Sequence, residues 1–270
     1  MKKFEVPYNF YEDYIDKMSS LVDYFSYIKF VYVPCFKESN IENTRESKNY
    51  KSHQNYIKLN YIEYTNKIKE IQSLGLDVAI LMQRGATFEL IEKYINDLNI
   101  KYFIINDDVL AKKIKDKYGD KIYLILSITR ALRFNDYLQN DLSMYDEIVL
   151  YFWFNRHLDE IKKLYEIYSY KFTLLINPNC SYICANVNEH WFEEDISKHC
   201  HCCLTPYNNI HVKPKDIIYF DKYVCTYKLV DRIMPTDYIV DEIKTYIDAY
   251  KKLNTFEFDK TIEDYYNIKD

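Results

Sequence analysis

The stretch LDVAILMQRGATFELIEKYINDLNIKYFIINDDVLAKKIKDKYGDKIYLILS, residues 76–127, decides the fold class. Three short apolar runs, LDVAILM (76–82), KYFIIN (101–106) and KIYLILS (121–127), alternate with two segments of helical spacing, TFELIEKYINDLN (87–99) and DVLAKKIKDKYG (108–119). Runs that are apolar on both faces predict strands buried on both sides, which is the signature of a parallel sheet whose crossover helices pack outside it. The pattern is βαβαβ.

The same alternation extends in both directions. Upstream lie FEV (4–6) and YIKFVYV (27–33), and downstream DEIVLYF (146–152), KFTLLIN (171–177) and CTYKLV (225–230), which brings the strand count to eight. Further helical spacing marks 62–75, 157–168 and 235–253, where Pro235 suits a first turn and Ile239, Ile243, Tyr246 and Tyr250 share one face. Eight such units predict an α/β, TIM-like (β/α)8 barrel. A doubly wound open sheet is the rival, but it normally brings a Gly-rich phosphate turn after an early strand, and the chain has no GxGxxG or Walker pattern.

With three glycines and six prolines the chain has no flexible linker, so residues 1–270 read as one domain. No run approaches a membrane span and no secretory signal precedes the first acids, which gives the expectation of a cytoplasmic protein. The formal charge of -5 argues against a surface dominated by polyphosphate binding. Thirty tyrosines would suit stacking on RNA bases, yet with abundant Lys, Asn and Ile they read more simply as codon bias.

In a barrel the working face lies at the C-terminal ends of the strands. That places Cys35, Gln83, Arg84, Asn106, Asp107, Ser127, Arg130, Asn155, Arg156, Asn177 to Cys180, Asp231 and Arg232 at the mouth, with a cysteine-rich loop after the seventh strand. Five of the seven cysteines fall between 180 and 203. Cys180 and Cys184 form one group and Cys200 and Cys203 the second, a spacing that suits a tetrahedral zinc site or a four-thiolate iron–sulfur cluster. Cys202 competes with its neighbour Cys203 for the last position, and Cys35 is an alternative ligand. His190 follows Cys184 at a distance that could aim an imidazole into the mouth as ligand or proton carrier. His190 and Arg156 are therefore the candidate catalytic residues. Lys228 and Arg232, flanking the last strand, are the candidate substrate-binding cations for an anionic group.

The run KLVDRIMPTDYIVDEIKTYIDAY (228–250) resembles the KIEGR–M–P–Y–V signature of the collagenase-like peptidase family (family U32), with Lys228, Arg232, Met234, Pro235, Tyr238 and Val240 in matching places. FEVPYNFYEDY, LILSITRALRFND, EIVLYFWFNRHLDEI, the cysteine block followed by LTPY, and KPKDIIYF are similar to the family's other elements. The likeness covers nearly the whole chain and is strongest from 121 to 250. It implies a barrel carrying a 4Fe-4S cluster on four cysteines, with zinc as the alternative metal. It also implies a choice between peptidase activity and oxygen-independent hydroxylation of RNA or a small aromatic substrate with an anionic co-substrate. A non-catalytic scaffold with a structural metal is the other reading. The chain looks most like the short, barrel-only members, some of which pair with a related barrel as heterodimers. It departs from the pattern at Asp231, where the family carries glycine, and in its tight Cys-x3-Cys pair.

Overall fold

The computed structural model describes residues 3–36, 51–178, 210–230, 232 and 234–267. Eight strands run in sequence order around a closed, all-parallel barrel. They are β1 (Lys3–Pro7), β2 (Ile28–Pro34), β3 (Val78–Leu81), β4 (Tyr102–Ile105), β5 (Tyr123–Leu126), β6 (Glu147–Val149), β7 (Phe172–Leu175) and β8 (Thr226–Lys228). Closure is made by β8 against β1, where Phe4 is in register with Tyr227 and Glu5 with Lys228.

The predicted helices form as α3 (Tyr61–Ser73), α4 (Phe88–Leu98), α5 (Asp108–Tyr118), α7 (Leu158–Ile167) and α8 (Thr236–Lys251). Each buries its periodic face. In α8, Ile239, Ile243, Tyr246 and Ile247 are buried, and Tyr250 packs from the edge of the same stripe. The ends are set by local chemistry. Asn60 opens α3 with a reciprocal box in which its Oδ1 accepts from Glu63 N at 3.0 Å while Glu63 Oε2 accepts from Asn60 N at 2.8 Å. Thr87 and Asp107 cap α4 and α5. Gly75, at a φ of 81°, and Asn99, at 51°, follow α3 and α4 in the left-handed region that lets a helix turn off toward the next strand. Replacing Asn60 with alanine should cost about 1 kcal/mol, read as a lower urea midpoint with unchanged slope.

Three short helices were not legible in the periodicity: α1 (Tyr14–Ser19), α2 (Lys51–Ile57) and α6 (Phe134–Gln139). At six or seven residues each is too short for a 3.6-residue pattern to declare itself. The sixth apolar run also divides. Its strand ends at Val149, and Phe152–Arg156 winds into a 3-10 turn whose Asn155 side chain is drawn into the barrel wall. A last helix, α9 (Lys260–Tyr265), follows α8, and the segment after it pairs with the start of α7, with Asn267 bridged to His157.

The barrel interior departs from a purely apolar filling. Toward the N-terminal ends, Phe30, Tyr102 and Tyr123 form an aromatic row with centroids 5.2 and 5.6 Å apart. Lys29 reaches among them, 5.2 Å from the Phe30 ring and 5.1 Å from the Tyr123 ring, and pairs with Glu147. Glu147 also accepts from Thr173 and, at 2.8 Å, from Tyr123. Glu5 joins this group to the last strand, 3.9 Å from Lys29 and 2.7 Å from Lys228. Two carboxylates thus meet two ammoniums in a neutral cluster inside the barrel.

Candidate active face at the C-terminal ends of the strands

The C-terminal ends of β3, β4 and β5 enclose a cavity of about 510 Å³. Its apolar floor comes from residues in or just after the strands, Leu81, Met82 and Ile105. The polar wall is Gln83, Arg84, Asn106, Asp107, Ser127 and Arg130, the six residues that strand-end counting had placed at this part of the mouth. They converge because each lies within four residues of the end of its strand, so the βα turns of three adjacent strands face one opening.

Within the wall, some charges answer one another. Arg130 donates to Asp108 at 2.7 Å, and the other oxygen of that carboxylate accepts from Tyr145 at 2.7 Å. Asp107 spends one oxygen on the amide of Leu110, and Ser127 Oγ accepts from Thr129. Two acceptors stand out by contrast. Gln83 Oε1 and Asn106 Oδ1 are buried without a hydrogen-bond partner, and Gln83 is only 7% exposed. Buried carbonyl oxygens are normally satisfied, and both of these lie within the wall with almost no exposed surface.

The other half of the mouth is organised around the ends of β6, β7 and β8. Asn155 is fully buried, and its Nδ2 donates to Leu175 O at 2.7 Å and to Ile210 O at 2.6 Å. This single amide ties the end of β7 to the residue at which the described chain resumes. Asn177 donates to Glu242 at 3.2 Å and accepts from the amide of Val230 at 2.7 Å, linking β7, β8 and α8. Burial pushes the Glu242 carboxyl up, with the Asn177 bond opposing. His211 lies 2.8 Å from the Tyr246 hydroxyl, and burial, aided by Lys213, pushes its imidazole down. Sequence reasoning missed Glu242 and His211. Glu242 sits inside a helical pattern as one acid among several, and nothing in its spacing signals that it turns toward Asn177.

The candidate site residues fall in different places. Arg156 is buried, with its guanidinium 3.9 Å from the ring of Tyr265 at the end of α9. Lys228 is 6% exposed, its ammonium paired with Glu5 and lying 3.9 Å over the Tyr32 ring. Burial pushes the Lys228 ammonium down and Glu5 counters it. Arg232 lies half-buried just beyond β8. His190 and the metal-ligand candidates Cys180, Cys184, Cys200 and Cys203, with Cys202, lie outside the described residues. The cysteine-rich loop expected after β7 therefore does too; what is described is that Pro178 and Ile210, on either side of it, stand at the C-terminal end of that strand.

The two described cysteines occupy opposite ends of the barrel. Cys35 is buried at the end of β2, where its carbonyl accepts from Tyr56 and its amide donates to Leu81 O. Cys225 precedes β8 with its Sγ 3.2 Å from Phe172 O, at the N-terminal end and away from the mouth. Among the described residues, no group of three or more His, Cys, Asp or Glu side chains is placed to hold a metal ion.

No protein-family model matches the chain, and no curated protein matches it in sequence. Solved structures do match in fold. A U32 peptidase, Mk0906, aligns over 86% of this chain and 93% of its own with a TM-score of 0.59 at 12% identity. A tryptophan synthase chain from Pyrococcus furiosus aligns over 92% of this chain and 100% of its own with a TM-score of 0.54 at 9% identity. One from M. tuberculosis aligns over 93% and 92% with a TM-score of 0.52 at 5% identity. No helix among the described residues is long and apolar enough to cross a membrane. At these identities the likenesses establish one thing, that the chain has the TIM-barrel fold shared by the U32 peptidase.

Proposed function

We propose that the chain is a barrel enzyme, or the subunit of one, that works at the C-terminal mouth with a 4Fe-4S cluster held by Cys180, Cys184, Cys200 and Cys203. The observation that carries the reading is the mouth itself, an open cavity at the C-terminal ends of three adjacent strands, lined by the polar turns that follow them. Support for the cluster comes from the described residues on either side of the cysteine-bearing segment, since Asn155 ties Ile210 to Leu175 at the C-terminal end of β7, on this same face. When bound, such a cluster supplies electrons or a Lewis-acidic iron for oxygen-independent hydroxylation of RNA or a small aromatic substrate. His190 is the candidate proton carrier, and Arg156 and Arg232 the cations for an anionic co-substrate. Lys228 takes part in this reading through its pair with Glu5, which holds the last strand against the first. The peptidase alternative draws on the sequence resemblance to the collagenase-like peptidases and on the name of the U32 neighbour.

Protein purified without oxygen should be brown, with broad absorption near the visible edge and about four iron atoms per chain, and should lose both when any one of the four cysteines is changed to serine. Colourless protein carrying stoichiometric zinc would overturn the redox reading in favour of a structural metal. Cleavage of a peptide library by iron-free protein would favour the peptidase. Heterodimer formation with a related barrel would appear as a stable mixed species in size-exclusion chromatography.

A further inference from the structure

We infer that His211 is a proton-accepting site on the working face, its Nδ1 lone pair open to the proton of an O–H or N–H ligand while Nε2 keeps its own proton on Tyr246. The inference rests on the reading of the C-terminal mouth as the working end of the barrel. It does not depend on the cluster.

The place is set by the backbone. Ile210 O accepts from Asn155, and Val212 N donates to Ile176 O at 2.8 Å, so His211 is fixed from both sides just beyond the C-terminal end of β7. The tautomer follows from the protons around Tyr246. Its hydroxyl lies 2.8 Å from His211 Nε2, 2.7 Å from Val212 O and 3.3 Å from Ile176 O, and it has one hydrogen to give. Ile176 O already accepts from Val212 N. Val212 O has no other donor among the described residues and Val212 is fully buried, so a hydroxyl turned toward the imidazole would orphan that carbonyl. Tyr246 therefore donates to Val212 O, and its oxygen accepts from Nε2–H. The proton of the neutral ring is then on Nε2, and Nδ1 carries the lone pair.

That second nitrogen is open. It bonds no described residue, and it is not among the atoms sealed from solvent. Burial and Lys213 push the imidazole down from its ordinary 6.5, which keeps the ring neutral, and so able to accept a proton, at physiological pH. Of the elements packed here, α8 also brings Glu242, one turn before Tyr246, with its carboxyl engaged by Asn177, and the end of β7 brings no charge. An imidazole oriented through one nitrogen with the other left open is the arrangement of a general base. In the step this permits, the ligand's proton passes to Nδ1 and the bonding pair stays on the ligand's oxygen or nitrogen. The resulting imidazolium keeps Nε2–H on Tyr246.

Nitrogen–proton correlation across the imidazole rings of the labelled full chain decides the matter, with His211 assigned by the signal lost in His211→Gln. At about pH 7, Nε2 should be protonated and Nδ1 bare, and the ring should titrate with a midpoint below 6.5. Diethyl pyrocarbonate, which acylates unprotonated imidazole nitrogens, should label His211 at Nδ1 with a rate that follows the same midpoint. Tyr246 acts as a positioning residue, so Tyr246→Phe should let the ring populate both tautomers and move part of the label to Nε2. Should that variant fail to fold, the spectrum and the labelling of the wild type still decide.

A proton on Nδ1 in the neutral wild-type ring, a midpoint above 6.5 or failure of the reagent to label His211 overturns the inference. So does a Tyr246→Phe spectrum in which the tautomer is unchanged. Iron-free protein with the expected tautomer would sink the cluster and leave His211 standing. Iron-loaded protein with the proton on Nδ1 would do the reverse.

Discussion

Lys29→Met is expected to destabilise the barrel by about 3–5 kcal/mol, lowering the thermal midpoint by on the order of 10 °C. Lys29 is the ammonium that both interior carboxylates share, paired with Glu147 and 3.9 Å from Glu5 Oε1, an oxygen that otherwise has no hydrogen-bond partner. Burial works against its charge, and Glu147 and Glu5 together hold its pKa above the ordinary lysine value. Removing it strands one carboxylate at the N-terminal end of the barrel and weakens the neutrality of the rest. Methionine keeps most of the aliphatic stem and removes the ammonium that sits over Phe30 and Tyr123, so the loss reports charge more than volume. Adding Glu147→Gln should recover part of the loss, since glutamine preserves bonding to Thr173 and Tyr123 without the stranded charge. A urea denaturation curve within about 1 kcal/mol of wild type for the single variant would show that the cluster is not cohesive.

The same cluster sets an acid limit. Burial alone would push the Glu147 carboxyl up, but Lys29, Thr173 and Tyr123 outweigh it and hold the group below its ordinary value of 4.5. A carboxylate with a depressed folded-state pKa contributes stability that is complete above the unfolded value and drains away as pH falls through the folded one. The stability of the wild type should therefore decline below about pH 4.5, and Glu147→Gln should flatten that decline. Parallel declines in both proteins would assign the acid limit to other carboxylates.

The second large effect is expected at Asn155. Asn155→Leu keeps the branched outline but removes the donor shared by Leu175 O and Ile210 O, leaving two buried carbonyls short of a partner, at about 2–4 kcal/mol. The cost is local in a way the Lys29 cost is not. Val212 N still donates to Ile176 O at 2.8 Å, so the chain returns to the wall but with its first anchor gone. Hydrogen exchange should quicken at residues 210–212 well before it quickens in β1. If the proposed cluster depends on how the segment leaves and re-enters the barrel, its occupancy should fall in this variant as well. Unchanged protection at 210–212 would show that Asn155 is not the tie.

Much of this architecture was legible in residue order because the barrel's strands are buried on both faces. VAIL, YFII and YLIL are apolar without alternation, and the helices between them carry their apolar residues at 3.6-residue spacing with Asn60, Thr87 and Asp107 as caps. Those are local properties, and the strand-end rule then put Gln83, Asn106, Ser127 and Arg130 at the mouth. The cysteine spacing was equally plain in the sequence, and its residues lie outside what the structure describes.

Position across the barrel was not legible. Glu5, Lys29 and Lys228 are each one charged residue in an otherwise apolar run and Glu147 follows Asp146 at the start of another, and nothing local says that they meet, since up to 223 residues separate the partners. Lys228 read as a cation for an anionic substrate because a strand-end lysine looks the same whether a ligand or a neighbouring strand supplies its counter-charge. The register of β8 against β1, which opposes Lys228 to Glu5, is a property of barrel closure. The orphaned oxygens of Gln83 and Asn106 belong to the same class: hydrogen-bond satisfaction is a count over everything a folded chain brings near. Sequence alone determined the barrel, its longer helices and which residues end most strands, because periodicity and caps act within a few residues. Tertiary structure alone decided which charges neutralise one another and which buried polar atoms are left without a partner, because those depend on strands that only closure makes neighbours.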